Sequence, residues 1–166
     1  FKNHNLNTNF LNIDKYHKTG QVLVTLKSGE PDYDILENVA WDYIPFKKDY
    51  LKNYDGFDCI VYGSLGIRND KSFMTLKRLL GFSKFKIFDL NLRQNFYSKS
   101  KVKYLLNESD FLKINMEELL KLAIIFKLKY SDIERLIESI YLMFNLKFIC
   151  VTNGSINSTI YDGNNF

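Results

Sequence analysis

The sequence lacks the features that mark several specialised protein classes. It has two cysteines, no internal repeat, and no apolar run near the roughly 20 residues that a membrane span needs. Its 23 basic and 19 acidic residues give a net charge of only +4. The lysines are spread among acidic residues, which favours solvated helix faces over a nucleic-acid-binding stripe. We therefore expect neither a membrane nor a nucleic acid as a partner.

The two cysteines, Cys59 and Cys150, each occur in an apolar, strand-like run. That setting is typical of buried free thiols in a reducing compartment. Neither cysteine has the spacing to a histidine that zinc ligand sets show, which argues against a zinc site. The cysteine pattern therefore predicts a cytoplasmic protein.

The composition supports one domain with a sizeable core, because 46% of the 166 residues are hydrophobic and 16% are aromatic. Residues 1–46 combine a polar start with two alternating segments, 19–26 and 32–36, separated by a turn that contains Gly29 and Pro31. Alternation on both sides of such a turn predicts an antiparallel hairpin. Residues 47–53 could form a short helix, and from Phe57 the pattern changes to α/β, so we predict a second unit at 47–166.

The second unit alternates short apolar runs with amphipathic segments. The predicted strands are 57–62, 84–89, 110–114 and 147–152. The predicted helices are 70–80, 99–107, 116–128 and 131–144, with Asp70 and Ser131 as expected caps. This alternation predicts an α/β fold with a Rossmann-like parallel sheet, and residues 158–161 should pair back after a turn. Ligands of such sheets bind at the carboxyl ends of the strands.

Asn115 and Glu118 follow one predicted strand and open a helix. They are three residues apart, so both can project from the first helical turn towards the same space. Carboxylate and water oxygens are preferred by Mg²⁺, which usually bridges to substrate phosphates, and the helix N-terminus favours anions. The alternative is a plain helix start, in which Asn115 caps and Glu118 complements the helix dipole.

Two further strand ends carry polar groups. Asn91 and Arg93 are alternate residues, so they lie on one side if the strand continues, and an arginine there suits a carboxylate, a phosphate or several hydroxyls. The alternative for Arg93 is a surface pair with a carboxylate. Thr152 and Gly154 end another strand in a hydroxyl and a flexible loop, where backbone amides could meet a nucleotide phosphate. Most such strand ends are only turns, so this pattern taken alone favours a turn without function.

Five segments together resemble the ribokinase-like (PfkB-type) carbohydrate kinases, and most of all their fructokinase branch. They are TGQVLVTL…GEPDYDILENVAWDYI, VYGSLGIR, FDLNLRQNFYS, LKINMEEL and VTNG, in the family's order from Thr19 to Gly154. The resemblance implies a ribokinase-like fold with a β-hairpin lid over the sugar. It also implies an ATP-dependent kinase that phosphorylates a primary hydroxyl of fructose or a similar hexose. The lid implies a possible homodimer in the full-length protein.

The resemblance assigns roles to the polar strand ends. Asn115 and Glu118 match the NxxE motif, which organises Mg²⁺ and phosphates, and the pair of Asn91 and Arg93 lies at the sugar side. ATP and a small sugar are thus the implied partners, with Mg²⁺ as the cofactor.

The fifth segment supplies the nucleotide side of the implied site. Thr152 and Gly154 match the VTxG turn of the ATP site, but Asn157 stands where the family usually continues with glycine. The family's Gly-Ala-Gly-Asp segment, which carries the catalytic base, is expected beyond Phe166, and a sugar-binding segment before Phe1. We therefore expect an incomplete fold and an inactive internal fragment. The alternative is a non-catalytic relative that binds a nucleotide or a protein partner.

Overall fold

The computed structural model describes residues 10–27, 30–52 and 57–166, together with His4 and Thr8. The strands are β1 Val22–Lys27, β2 Glu30–Ile35, β3 Ile60–Gly63, β4 Lys86–Asp89, β5 Phe111–Asn115, β6 Phe148–Asn153 and β7 Asn157–Tyr161. The helices are α1 Asp49–Lys52, α2 Asp70–Leu80, α3 Lys99–Glu108, α4 Met116–Phe126 and α5 Ile133–Met143. Short 3₁₀ helices occupy Ala40–Tyr43 and Leu65–Ile67. No helix in these ranges is long and apolar enough to cross a bilayer.

The main sheet has five strands in the order β3-β4-β5-β6-β7. The first four are parallel, and β7 returns antiparallel to β6. Each parallel pair is joined by helical segments, as crossover connections require. The prediction of a mixed α/β fold with a mostly parallel sheet is therefore confirmed.

The core lies between the sheet and the helices that follow its strands. In β5, Leu112 and Ile114 are fully buried, while Lys113 between them is exposed. Leu119 and Leu122 of α4 are also fully buried, three residues apart on one helix face. The alternate residues of β5 and one face of α4 therefore pack into the same core. This packing fixes the position of the β5–α4 junction.

Two of the predicted helix caps are wrong by one residue. Asn69 caps α2, because its backbone is extended and its side chain accepts from the Lys71 amide at 2.9 Å. Asp70 instead forms an ion pair with Lys101. At α5 the cap is Asp132, which accepts from the backbone amide of Arg135, while Ser131 donates its hydroxyl to Asp132. The sequence signal marks the helix start but does not distinguish neighbouring polar residues.

The hairpin of β1 and β2 forms a separate antiparallel sheet, with Val22 opposite Ile35. Val22, Val24 and Leu26 lie on one face of β1, and they remain 46%, 56% and 74% exposed. They do not enter the core of the five-stranded sheet. The hairpin prediction is confirmed, and its two central turn residues, 28 and 29, lie outside the described part of the chain.

The prediction of two buried thiols is wrong. Cys59 is exposed because β3 begins one residue later, at Ile60. Cys150 lies in β6 and is half-buried, and burial raises the pKa of its thiol.

This difference predicts unequal thiol reactivity. The thiolate is the reactive species, so Cys59 should alkylate markedly faster than Cys150 in the folded protein. Mass spectrometry after timed exposure to iodoacetamide measures both rates, and the urea-unfolded protein provides the control in which the rates converge. Equal rates in the folded protein would contradict the assigned burial.

Candidate functional site

The β5–α4 junction forms a reciprocal cap. Asn115 is the last residue of β5 and the N-cap of α4. Its side-chain oxygen accepts from the Glu118 amide at 2.8 Å, while Glu118 Oε2 accepts from the Asn115 amide at 3.1 Å. These two bonds satisfy backbone donors that a helix start leaves without partners. The helix-cap alternative is therefore realised in the structure.

Glu118 also reaches the neighbouring strand end. Its Oε1 accepts from the backbone amide of Leu92 at 2.9 Å, in the loop that follows β4. The residue is only 4% exposed. Arg93 Nη1 lies 3.9 Å from the same oxygen and supplies the nearby positive charge that a buried carboxylate requires. Glu118 thus fixes the ends of β4 and β5 relative to each other.

Asn91 and Arg93 are brought together by a loop rather than by a continuing strand. β4 ends at Asp89, and Asn91 adopts a left-handed backbone with φ +48°, so the assumed strand continuation is wrong. Arg93 Nη2 nevertheless donates to Asn91 Oδ1 at 2.9 Å. Asn91 is further held by Ser64, whose hydroxyl donates to its carbonyl oxygen. The loop therefore depends on contacts with the end of β3.

A close backbone approach at Gly63 makes this arrangement possible. A Cβ atom at Gly63 would lie 2.9 Å from the carbonyl oxygen of Asp89. Any side chain there would push the ends of β3 and β4 apart. Gly63, the first glycine of the VYGSLGIR segment, is thus needed for β3 and β4 to approach each other this closely.

Thr152 is the register partner of Asn115 on the next strand. Its hydroxyl donates to the carbonyl oxygen of Ile114 over 3.4 Å. Gly154 follows in the turn between β6 and β7 with φ +56°, a conformation that glycine adopts without strain. Asn157 is the first residue of β7 and pairs with Asn153. The position at which the VTxG pattern usually continues with a glycine therefore lies in a strand here. Three adjacent strand ends thus carry the polar residues singled out by sequence.

The junction does not form a metal cage from its own side chains. Both oxygens of Glu118 accept backbone hydrogen bonds, and no group of three His, Cys, Asp or Glu residues suited to a metal ion occurs in the described ranges. Mg²⁺ commonly keeps several waters and binds through one or two carboxylates and substrate phosphates. The donor set fits a hydrated ion that arrives with phosphates and not a protein-enclosed one.

Comparisons with known proteins match this architecture. No protein-family model matches the sequence, and a comparison with curated proteins gives no match. Among solved structures, an uncharacterized sugar kinase from Pyrococcus horikoshii superposes with a TM-score of 0.75 at 19% identity, over 97% of this chain and 51% of that chain. Fructokinase from Vibrio cholerae O395 gives 0.74 at 20% identity, over 98% and 57%. Fructokinase with bound ATP from Xylella fastidiosa gives 0.71 at 19%, over 90% and 48%.

The chain has the ribokinase-like fold. It spans about half the length of the solved structures that it matches. The fold predicted from the five sequence segments is thereby confirmed.

The structure contains a buried ion pair that the sequence patterns do not indicate. Asp42 lies in the 3₁₀ helix after the hairpin, and Arg68 follows the 3₁₀ helix after β3. Nε and Nη2 of the arginine donate to the two carboxylate oxygens at 2.7 and 2.8 Å. Nη2 also donates to the carbonyl oxygen of Leu36. The two residues are 26 positions apart, and no local sequence pattern links them.

Aromatic rings surround this ion pair. The guanidinium carbon of Arg68 lies 4.5 Å from the ring centre of Phe96 and 5.8 Å from that of Trp41. The Arg68 and Asp42 side chains are only 5% and 2% exposed. The pair thereby attaches the root of the hairpin to the core of the ribokinase-like fold.

Beside the pair lies a cavity of about 350 Å³. One wall comes from Glu37 and Asn38, directly after the hairpin, and another from residues 95–98 at the start of α3. Arg68 and Lys101 complete the lining with Asp42 and Asn69. The cavity therefore lies between the hairpin root and the loops that follow β3 and β4.

Proposed function

We propose that this chain forms part of an ATP-dependent sugar kinase that transfers the γ-phosphoryl group of ATP to a primary hydroxyl of fructose or a similar hexose. The observation that carries the proposal is the convergence of the polar residues on three adjacent strand ends of a ribokinase-like fold. One of the similar structures is a fructokinase with bound ATP, and another is a fructokinase with fructose, ADP and a calcium ion. Ligands of open parallel sheets bind at this edge.

Each strand end receives one proposed role. Phosphoryl transfer depends mainly on positioning and on electrostatic stabilisation of the phosphates. We assign the sugar side to Asn91 and Arg93, and the hydrated Mg²⁺ and phosphates to Asn115 and Glu118. The nucleotide side is assigned to Thr152 and Gly154, on the strand next to that motif.

The test is a kinase assay on the full-length protein that contains this chain. ADP release is followed with ATP, Mg²⁺ and a panel of hexoses that includes fructose. We expect turnover with fructose or a close analogue, and none with a hexose that lacks the primary hydroxyl. ATP binding without turnover of any hexose would favour the alternative, a non-catalytic nucleotide- or partner-binding protein.

We also propose that the catalytic base lies outside these 166 residues. Each oxygen of the Glu118 carboxylate already accepts a backbone amide as part of the helix cap, so we do not assign it the role of accepting a proton from a sugar hydroxyl. The 166-residue chain assayed alone should therefore form no sugar phosphate above the background without enzyme. Turnover by the isolated chain at a rate similar to that of the full-length protein would contradict this assignment.

Arg93→Ala should weaken sugar binding most and lower the rate of turnover to a smaller extent. The side chain contacts Asn91 and lies 3.9 Å from Glu118, so it bridges the proposed sugar and phosphate sides. Loss of one charged hydrogen bond should raise the KM for fructose on the order of tenfold and lower kcat by a smaller factor. Steady-state kinetics with fructose and ATP varied separately measures both. A change confined to the KM for ATP would place the sugar elsewhere.

A further inference from the structure

We infer that Asn153 is a site of spontaneous deamidation, through which the turn between β6 and β7 acquires a negative charge over time. Asn153 is followed by Gly154, and no other asparagine in the sequence is followed by glycine. The modification itself depends only on this turn. Its expected effect on ATP binding rests on the proposed kinase function, which assigns Thr152 and Gly154 to the nucleotide side.

The reaction needs only water as a co-reactant. The backbone nitrogen of Gly154 loses its proton and attacks Cγ of the Asn153 side chain, which forms a new C–N bond. The bond from Cγ to the side-chain nitrogen then breaks, and that nitrogen leaves as ammonia. Water hydrolyses the resulting cyclic succinimide at either of its carbonyl carbons, which gives aspartate or isoaspartate. No atom is oxidised or reduced.

The turn leaves the reacting groups accessible. The Ile156 amide donates to the Asn153 carbonyl oxygen at 3.0 Å, so Asn153 is the first residue of a tight turn. Asn153 is half-buried, while Gly154 and Ser155 are exposed. Among the residues that the structure describes, the Asn153 side chain has no hydrogen-bond partner. Its carboxamide can therefore rotate towards the Gly154 nitrogen without breaking a hydrogen bond.

Gly154 favours ring closure for a steric reason. A side chain on the residue after asparagine shields the backbone nitrogen and restricts the rotation that brings this nitrogen onto Cγ, and glycine has no side chain. Even a Cβ atom added at Gly154 would meet no other group within 4 Å, so the space around the nitrogen is open. Asn157 lies in the same hairpin but precedes Ser158, within β7. Asn153 should therefore react faster than Asn157.

A second pair that forms the same ring is held back by its contacts. Asp162 precedes Gly163, and a protonated aspartate closes a succinimide with loss of water. The backbone amides of Asn165 and Asn164 both donate to Asp162 Oδ1 at 2.8 Å, and they hold the pKa of this carboxyl below its usual range. The Asp162 carboxylate is therefore ionised and fixed in place. These constraints are absent at Asn153, whose side chain is neutral and without such bonds.

The products would change the proposed nucleotide side. Asn153 is the last residue of β6, and Thr152 before it is the register partner of Asn115. A carboxylate at position 153 would repel the phosphates of ATP. Isoaspartate would also lengthen the main chain by a methylene group where Asn153 pairs with Asn157, which disturbs the register of β7. Stored protein should therefore lose affinity for ATP as the modified fraction grows.

The modification is tested without an activity assay. The full-length protein is kept at neutral and at mildly alkaline pH, and peptide mass spectrometry follows deamidation at each asparagine. Because the attacking nitrogen must lose its proton, we expect Asn153 to react several-fold faster at alkaline pH, and faster than Asn157 at both. Asn153→Gln should stop the reaction at this position, since the larger ring closes slowly. Equal rates at Asn153 and Asn157, or a rate at Asn153 that does not rise with pH, would overturn the inference.

The effect on the nucleotide is tested by isothermal titration calorimetry of the full-length protein with ATP. Asn153→Asp should raise the Kd on the order of tenfold, because it adds one charge near the phosphates. Aged wild-type protein should shift towards that value, and Asn153→Gln should keep the original one. Asn107→Asp is the control, because it adds the same charge at an exposed position of α3.

The outcomes separate this inference from the proposed function. If Asn153 deamidates but Asn153→Asp binds ATP like the wild-type protein, the predicted effect on the nucleotide is wrong and the modification site stands. Equal losses for Asn153→Asp and Asn107→Asp would show that only the net charge matters, which also overturns that effect. If no form of the protein binds ATP, the proposed kinase function and the effect on ATP fail together, while the rates at Asn153 and Asn157 still decide the modification.

Discussion

Under the proposed kinase function, Glu118→Gln is expected to reduce turnover of the full-length protein by a factor on the order of 10²–10³. Glu118 is the buried charge at the junction of β4 and β5, beside the proposed phosphate site. Its two oxygens each accept a backbone amide, from Leu92 and from Asn115. Glutamine keeps only one of these acceptors and turns its amide group towards the other N–H. We therefore also expect a loss of about 1–3 kcal/mol in the free energy of unfolding.

The matched control is Glu117→Gln, because Glu117 lies in the same first turn of α4 but is exposed. It removes the same charge and should change neither turnover nor stability appreciably. Kinetics at varied Mg²⁺ and urea unfolding separate the two effects of Glu118→Gln. Full turnover at limiting Mg²⁺ with reduced stability would show that the residue is only a helix cap. If Glu117→Gln and Glu118→Gln change turnover and stability equally, the effect comes from losing a carboxylate anywhere in the first turn of α4 and not from the position of Glu118.

Arg68→Met is expected to be among the most destabilising single changes in the chain. It leaves the Asp42 carboxylate buried without its partner, a change that typically costs about 3–5 kcal/mol. At roughly 2–4 °C per kcal/mol for a protein of this size, the melting temperature should fall by about 10 °C. Differential scanning calorimetry measures the shift, and urea unfolding measures the change in free energy.

Arg135→Met is the control, because Arg135 also contacts a carboxylate at 2.7 Å, that of Glu138. The arginine of that pair is 68% exposed, and such pairs contribute about 0–1 kcal/mol. The two arginines therefore differ in burial and not in contact distance. Replacing both partners, as in Arg68→Met with Asp42→Leu, should recover part of the lost stability. If Arg68→Met and Arg135→Met lower the free energy of unfolding by similar amounts, the buried pair stabilises the protein no more than the exposed pair does.

Local sequence patterns were sufficient to predict the alternating core. The bounds of α2 agree with the apolar spacing from Asp70 to Leu80, and the β5–α4 junction agrees with the change of period at Asn115. These elements are strongly patterned because each buries one face. The order of the strands also follows, since short crossovers place successive parallel strands side by side.

Features that depend on distant contacts were not predictable. Nothing near Glu118 in sequence indicates that the Leu92 amide will occupy its second oxygen. The left-handed turn at Asn91 is not indicated either, because the alternation of residues 91 and 93 is equally compatible with a strand that continues. The Asp42–Arg68 pair requires two short 3₁₀ helices to meet, and neither has a periodic pattern. Such contacts become visible only when the sheet is assembled.

The strand order of the main sheet has a consequence for how the chain folds. Each of the parallel strands β4, β5 and β6 pairs with the strand that precedes it in sequence. Each pairing therefore closes a loop of only one helical connection, or two between β5 and β6, and the entropic cost of closure stays small. The sheet can grow one strand at a time in the order of synthesis, with each new strand covering the edge left by the last. The Asp42–Arg68 contact can form as soon as β3 and its following turn have emerged, before most of the sheet exists.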